Sequence, residues 1–121
     1  MPKKALIVDD SLTIRQMLSF TLRGADFDVQ EAQHGQDALD KLKGFSPDLI
    51  VTDLNMPVMD GIEFIRRARG LAPTRYVPIL MLTTESQPEK KKAGKEAGAT
   101  GWIVKPFDPK NFLAVVSKLV V

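Results

Sequence analysis

The sequence predicts an α/β fold: a doubly wound parallel sheet of five strands, (βα)5, in the order 2-1-3-4-5. Three observations predict it. Four short apolar runs, Ala5-Leu6-Ile7-Val8, Leu49-Ile50-Val51, Ile79-Leu80-Met81-Leu82 and Trp102-Ile103-Val104, show no polar alternation, which marks strands covered on both faces. A fifth run, Phe27-Asp28-Val29-Gln30, alternates and reads as the one edge strand. Helical stripes separate the runs, and five strand–helix alternations demand right-handed crossovers with helices on both faces. With strand 2 at the edge, the order is a known one for open sheets of this kind.

Each element has its own signal. After strand 1, Ile14, Met17, Leu18, Thr21 and Leu22 recur at helical spacing, with Gly24 as a stop. After strand 2, Ala38, Leu39 and Leu42 make a shorter stripe ending near Gly44. Strand 3 leads to a helix with Ile62, Phe64, Ile65 and Ala68 on its stripe and Asp60 as N-cap. Helix 4, about Pro88 to Ala97, is the weakest: only Ala93 and Ala97 are read as facing a core, amid Lys, Glu and Gly. Helix 5 has the cleanest stripe, Phe112, Val115, Val116, Leu119 and Val120.

Bulk properties narrow the function. The 121 residues suit one domain, residues 1–121, with no output domain. There is no cysteine, which removes disulfides, thiolate metal sites and thiol nucleophiles. A net charge of +2 gives no argument for nucleic acid. Two lysines and four apolar residues before Asp9 make no signal peptide, and no run approaches the ~20 residues of a membrane span. The expectation is a cytoplasmic monomer without membrane or nucleic-acid partners.

In doubly wound sheets the site forms beyond the carboxyl ends of the strands. Asp9 and Asp10 follow strand 1, Asp53 follows strand 3, Thr83 and Thr84 follow strand 4, and Lys105 and Pro106 follow strand 5. Taken singly, the Asp9-Asp10 pair suits a helix cap, Asp53 a turn, Thr83 a strand end and Lys105 a solvated surface. Their joint placement on four strand ends favours a site. Three packed carboxylates repel one another and call for a cation; oxygen donors without His or Cys favour Mg²⁺ or Mn²⁺. A carboxylate beside a metal, an ammonium and a hydroxyl can attack phosphorus and yield an acyl phosphate.

These residues carry a resemblance. The motifs are Leu6-Ile7-Val8-Asp9-Asp10, then Asp53-Leu54-Asn55-Met56-Pro57-Val58-Met59-Asp60-Gly61, then Leu82-Thr83, then Gly98-Ala99 through Val104-Lys105-Pro106-Phe107. With them the chain resembles bacterial response-regulator receiver domains over essentially its whole length, and within them the single-domain chemotaxis regulators. The resemblance implies a flavodoxin-like, chemotaxis-regulator fold. It implies Asp53 as phospho-acceptor, Asp10 as a direct metal ligand, Asp9 as one acting through water, and the Asn55 carbonyl as a further metal contact. Lys105 becomes the phosphoryl-binding lysine, with a cis bond to Pro106, and Thr83 the switch hydroxyl. Asn55 and Glu85 flank the site. Trp102 stands where the family has Tyr or Phe, and Thr84 where a smaller residue is common. The implied partners are a sensor histidine kinase of the chemotaxis (CheA-like) type and an output target such as a flagellar motor switch protein.

The partner surface is expected on helix 4, strand 5 and helix 5, with Lys91, Lys95 and Trp102 as its contacts beside Lys90 and Lys92. His34 is read as a turn residue. Other functions remain in view. A stand-alone receiver can also serve as a phosphorelay intermediate or adaptor. An aspartate-nucleophile phosphatase commonly carries a second Asp two residues after the nucleophile, where this chain has Asn55. Turnover of outside substrates is therefore not expected; the chain is no enzyme beyond its own phosphorylation and dephosphorylation. A flavodoxin-like cofactor carrier needs a phosphate-binding loop after strand 1, where Asp9-Asp10 would repel a phosphate.

Overall fold

A computed structural model describes residues 2–84 and 88–120. Its elements are β1 (Lys3–Val8), α1 (Leu12–Gly24), β2 (Phe27–Ala32), α2 (Gly35–Lys41), β3 (Leu49–Asp53), α3 (Gly61–Arg69), β4 (Ile79–Thr83), α4 (Pro88–Ala97), β5 (Gly101–Val104) and α5 (Pro109–Leu119), with a 3-10 turn at Ala72–Thr74 before β4. All strand pairs are parallel, in the order β2-β1-β3-β4-β5. The α/β fold and its strand order are those the sequence predicts.

Side chains of successive strand residues point to opposite faces, and the core divides accordingly. Leu6, Val8, Ile50, Ile79 and Met81 face one side, under Ala38, Phe64, Ile65 and Ala97. Ala5, Ile7, Leu49, Val51, Leu80 and Leu82 face the other, under Leu18, Leu22, Phe112 and Val116. So α2, α3 and α4 cover one face, and α1 and α5 the other. β3 and β4 are buried at every position, as unalternating runs require. The Asp60 cap is as predicted: its Oδ1 accepts from the Glu63 N–H at 2.8 Å.

Three readings need correction. β5 is not buried on both faces: its residues alternate between half-buried and exposed, with Trp102 37% exposed. The sheet has two edges, and the thin helix beside β5 leaves one face of it open. In α1 the buried residues are Leu18, Ser19 and Leu22, while Met17 and Phe20 lie outside. In α4 the buried positions are Gly94 and Ala97, with Ala93 only half-buried. A Cβ on Gly94 would lie 2.7 Å from Met81 Cε. The helix settles on β4 through the absence of a side chain, which a search for apolar stripes cannot see.

Arg69 ties this region together. Its Nε and Nη2 donate to the Gly98 carbonyl at 3.0 and 2.8 Å, and Nη1 donates to the carbonyls of Thr74 and Val77 at 2.9 and 2.6 Å. One guanidinium thus joins the end of α3, the entry to β4 and the end of α4.

Candidate acidic phosphoryl-transfer site

β1, β3 and β4 are central and end at the same edge of the sheet, so Asp9, Asp53 and Thr83 arrive together. Thr83 is buried at the last position of β4, one residue beyond Leu82, the register partner of Asp53. The Lys105 backbone N–H donates to the Thr83 carbonyl at 2.7 Å, which fixes where β5 delivers its lysine. The Lys105–Pro106 bond is cis, as the resemblance implied.

At the centre, Lys105 Nζ donates to Asp53 Oδ1 at 3.0 Å and to Asp9 Oδ2 at 3.2 Å. Asp9 is 1% exposed and Asp53 6%; Asp10 is exposed. One carboxylate oxygen from each of the three lies within 4.8 Å of the others. Asp53 Oδ1 also accepts from the Leu54 N–H at 2.9 Å. Asp53 Oδ2 accepts no hydrogen bond among the described residues, which leaves one oxygen of the carboxylate for chemistry. Asp9 spends Oδ1 on the Ser11 N–H at 2.9 Å and Oδ2 on Lys105, while the Asp10 carboxylate stays with the solvent. The cap of α1 is Ser11, whose hydroxyl accepts from Ile14 N–H, so neither aspartate is needed as its cap.

The electrostatics follow from burial. Burial raises the Asp53 carboxyl above the ordinary aspartate value, the neighbouring Asp9 adds to this, and the Lys105 ammonium opposes it. For Lys105, burial favours the neutral amine, but the Asp53 and Asp9 carboxylates outweigh it and the pKa is raised. Three clustered carboxylates face one ammonium, and a divalent cation matches the charge left over. The donors are all oxygen, so the residues present fit a hard ion such as Mg²⁺ rather than a thiolate or imidazole metal.

The placement of other predicted residues is mixed. Asn55 is exposed, and Met56 beside it is half-buried. Thr84 is exposed just after β4. Glu85 lies outside the described residues. Lys91, Lys95 and Trp102 lie away from the acidic edge, on α4 and β5; Lys91 Nζ sits over the Trp102 ring, 5.4 Å from its centroid. His34 caps α2, its Nδ1 accepting from the Asp37 N–H at 3.2 Å.

Sequence reasoning missed Arg15. Its Nη1 donates to the Asp9 carbonyl at 2.7 Å and its Nε pairs with Glu31 at 3.3 Å. The signal was present: an arginine in the second turn of a helix that starts just after Asp9-Asp10 returns to the strand end. Glu31, from β2, gave no comparable signal.

The family described as the response regulator receiver domain matches residues 5–117. The phosphate regulon transcriptional regulatory protein PhoB of Escherichia coli (strain K12) is 37% identical over 114 residues, 94% of this chain and 50% of that protein. The chain therefore spans about half the length of the curated relatives it matches. The structure of the chemotaxis response regulator CheY4 of Vibrio cholerae superposes with a TM-score of 0.94 at 48% identity, over 98% of this chain and 99% of that one. The receiver domain of the sensor histidine kinase PA1611 of Pseudomonas aeruginosa PAO1, described with a magnesium ion coordinated in its active site cleft, superposes with a TM-score of 0.90 over 99% of this chain and 98% of that one. At 23% identity that last likeness bears on the fold alone.

Proposed function

We infer the function from one premise: the chain belongs to the response regulator receiver domain family. Receiver domains accept a phosphoryl group from histidine kinases. In this chain we assign the acceptor to Asp53, and the observation that carries the assignment is the Lys105 ammonium bridging Asp53 and Asp9 at 3.0 and 3.2 Å. Asp53 Oδ2 attacks phosphorus, the bond from phosphorus to the donor nitrogen breaks, and an acyl phosphate forms. The Leu54 N–H and Lys105 hold the other oxygen of the carboxylate and orient the attack. Lys105 then neutralises an oxygen of the phosphoryl group, and Thr83 binds another.

Asp10, Asp9, Asp53 and the Asn55 carbonyl would hold the metal. Asp10, whose carboxylate is uncommitted, would offer the direct contact, and Asp9, with both oxygens engaged, would act through water. When bound, Mg²⁺, or Mn²⁺ in its place, supplies charge neutralisation for the carboxylates and for the transferring group. With Asn55 in place of a second acid, Asp53 serves self-phosphorylation and not turnover of outside substrates.

The finer reading is a chemotaxis switch, with a CheA-like kinase as donor and a flagellar motor switch protein as target. CheY4 supports it: the likeness spans nearly the full length of both chains. PhoB, matched over half its length, is a transcriptional regulator and supports the coarser reading. The output face is α4, β5 and α5, where Lys91, Lys95 and the edge of Trp102 suit an acidic segment with an apolar anchor.

Incubation with acetyl phosphate and Mg²⁺ should add one phosphoryl group, about 80 Da by intact mass. Asp53→Asn should abolish the adduct, and an undiminished adduct would place the acceptor elsewhere. Charge reversal at Lys91 and Lys95 should weaken binding of a flagellar switch protein to the beryllofluoride adduct. Unchanged binding would move the output face.

A further inference from the structure

α4 is held very differently at its two ends. At the C-terminal end, Gly94 and Ala97 are buried, Gly94 rests directly on the tip of the Met81 side chain, and the Gly98 carbonyl takes two bonds from Arg69. At the N-terminal end, Pro88, Glu89, Lys90 and Lys92 are exposed. There the described tie to the sheet is Lys91, whose ammonium lies over the Trp102 indole.

The register makes this asymmetry matter. Trp102 pairs with Met81 in the sheet. Met81 and Thr83 are two apart on β4 and so share a face, the face that α4 covers. Thr83 therefore lies beyond the pinned part of α4, toward its loosely held end. A cation over an exposed indole is a weak contact. Any displacement that starts at Thr83 meets the weak tie before the strong one.

We propose that Lys91 latches the N-terminal half of α4 onto the indole face of Trp102 in the resting protein, and that phosphorylation of Asp53 opens the latch by tilting α4 about its Arg69-held end. The proposal rests on the receiver reading above and adds its regulation. The latch covers the apolar anchor and occupies the ammonium, the two features that an acidic, apolar-tipped partner needs. Opening it frees both at once. Trp102 then changes its cover without changing its own position, which suits an indole at an exposed edge strand.

Trp102 is the only tryptophan in the chain, so its emission reports this one position, and the Lys91 variants separate the contact from its other surroundings. Acrylamide quenching should be measured on wild type, Lys91→Ala and Lys91→Arg, each with and without Mg²⁺ and beryllofluoride. Alanine keeps helix propensity, so α4 should persist, and arginine keeps a cation over the ring. In the resting state Lys91→Ala should raise the quenching constant about twofold, and Lys91→Arg should hold it at the wild-type value. Beryllofluoride should raise wild type to the level of Lys91→Ala and leave Lys91→Ala unchanged. Equal resting constants in wild type and Lys91→Ala would overturn the latch. An unchanged wild-type constant, with the site saturated by fluorine NMR, would overturn its release. If beryllofluoride fails to bind and acetyl phosphate gives no adduct, the receiver reading itself falls and the release with it, while the resting comparison still decides the contact.

Discussion

A Cβ on Gly61 would lie 2.1 Å from the carbonyl oxygen of Asp53 and 2.9 Å from Cα of Leu54. The first residue of α3 is thus pressed against the backbone of Asp53, the proposed acceptor, and the Gly61 N–H donates to the Leu54 carbonyl at 2.8 Å. Backbone cannot yield as a side-chain tip can. Gly61→Ala should therefore cost about 3 kcal/mol in urea denaturation and slow acetyl-phosphate labelling as Asp53 shifts. A variant within about 0.5 kcal/mol of wild type would show that the loop relaxes freely.

Val58 occupies the left-handed region, φ 70°, and is 78% exposed. The Met59 N–H donates to the Pro57 carbonyl at 2.7 Å, so Val58 is the centre of a tight three-residue turn that a β-branched residue adopts under strain. Val58→Gly should stabilise the protein by about 1 kcal/mol, relief of strain exceeding the entropy of the added glycine. Asp26 has a similar φ of 73°, but Asp tolerates that region. Asp26→Gly should change stability by less than about half as much. Thermal unfolding of the two variants separates strain from turn chemistry.

Asp53 gives a pH signature. Its folded-state carboxyl is raised by burial and by Asp9, so without metal the folded chain binds more protons than the unfolded one above the ordinary aspartate pKa. Stability from this group is then greatest at low pH and is lost as pH rises through the raised value. Asp53→Asn should remove that part of the slope. Mg²⁺ at a hundredfold over its Kd should stabilise wild type at pH 7 by about 2.7 kcal/mol. That gain should shrink as protons compete at lower pH. A Mg²⁺ effect that is flat with pH, or retained in full by Asp53→Asn, would remove the acidic cluster as its origin.

Most of the fold was legible because β3, β4 and most of β1 are apolar on both faces, which marks them as interior strands of a parallel sheet. The site was legible for the same reason: strand ends are where the residues after each apolar run must converge. The failures share a cause. β5 looked buried because its three residues are apolar, but burial there depends on α4, and α4 approaches the sheet through Gly94 rather than through a stripe. Met17 fits the helical period of α1 yet lies outside, since period alone does not fix how wide a face the sheet can cover. Arg69 acts through backbone carbonyls, which have no sequence identity to match.

Thr83, 1% exposed at the end of β4, is the proposed link between Asp53 and α4. Thr83→Ala should still take up phosphate, within about threefold of wild type, because Lys105 and the carboxylates remain. The gain in partner affinity on phosphorylation, on the order of tenfold for a typical coupling of 1–3 kcal/mol, should fall below about twofold. Thr83→Ser should restore it. Affinity measured by titration of the beryllofluoride adduct separates the two variants, and an intact gain in Thr83→Ala would remove the hydroxyl from the coupling.

Arg69 is the strongest test of how α4 is held. Its guanidinium serves the carbonyls of Gly98, Thr74, Arg75 and Val77 and the Thr100 hydroxyl, and among the described residues no carboxylate pairs with it. Lysine can supply a charge at one point but not a planar fork reaching three segments. Arg69→Lys should cost about 1 kcal/mol and Arg69→Met about 2, since part-buried carbonyls lose their donors. The loss should be local first: amide exchange should rise at Gly98, Ala99 and Thr100 before it rises in β3. If the guanidinium were only a solvated surface charge, Arg69→Lys would be neutral within about 0.5 kcal/mol and exchange at the end of α4 would not change.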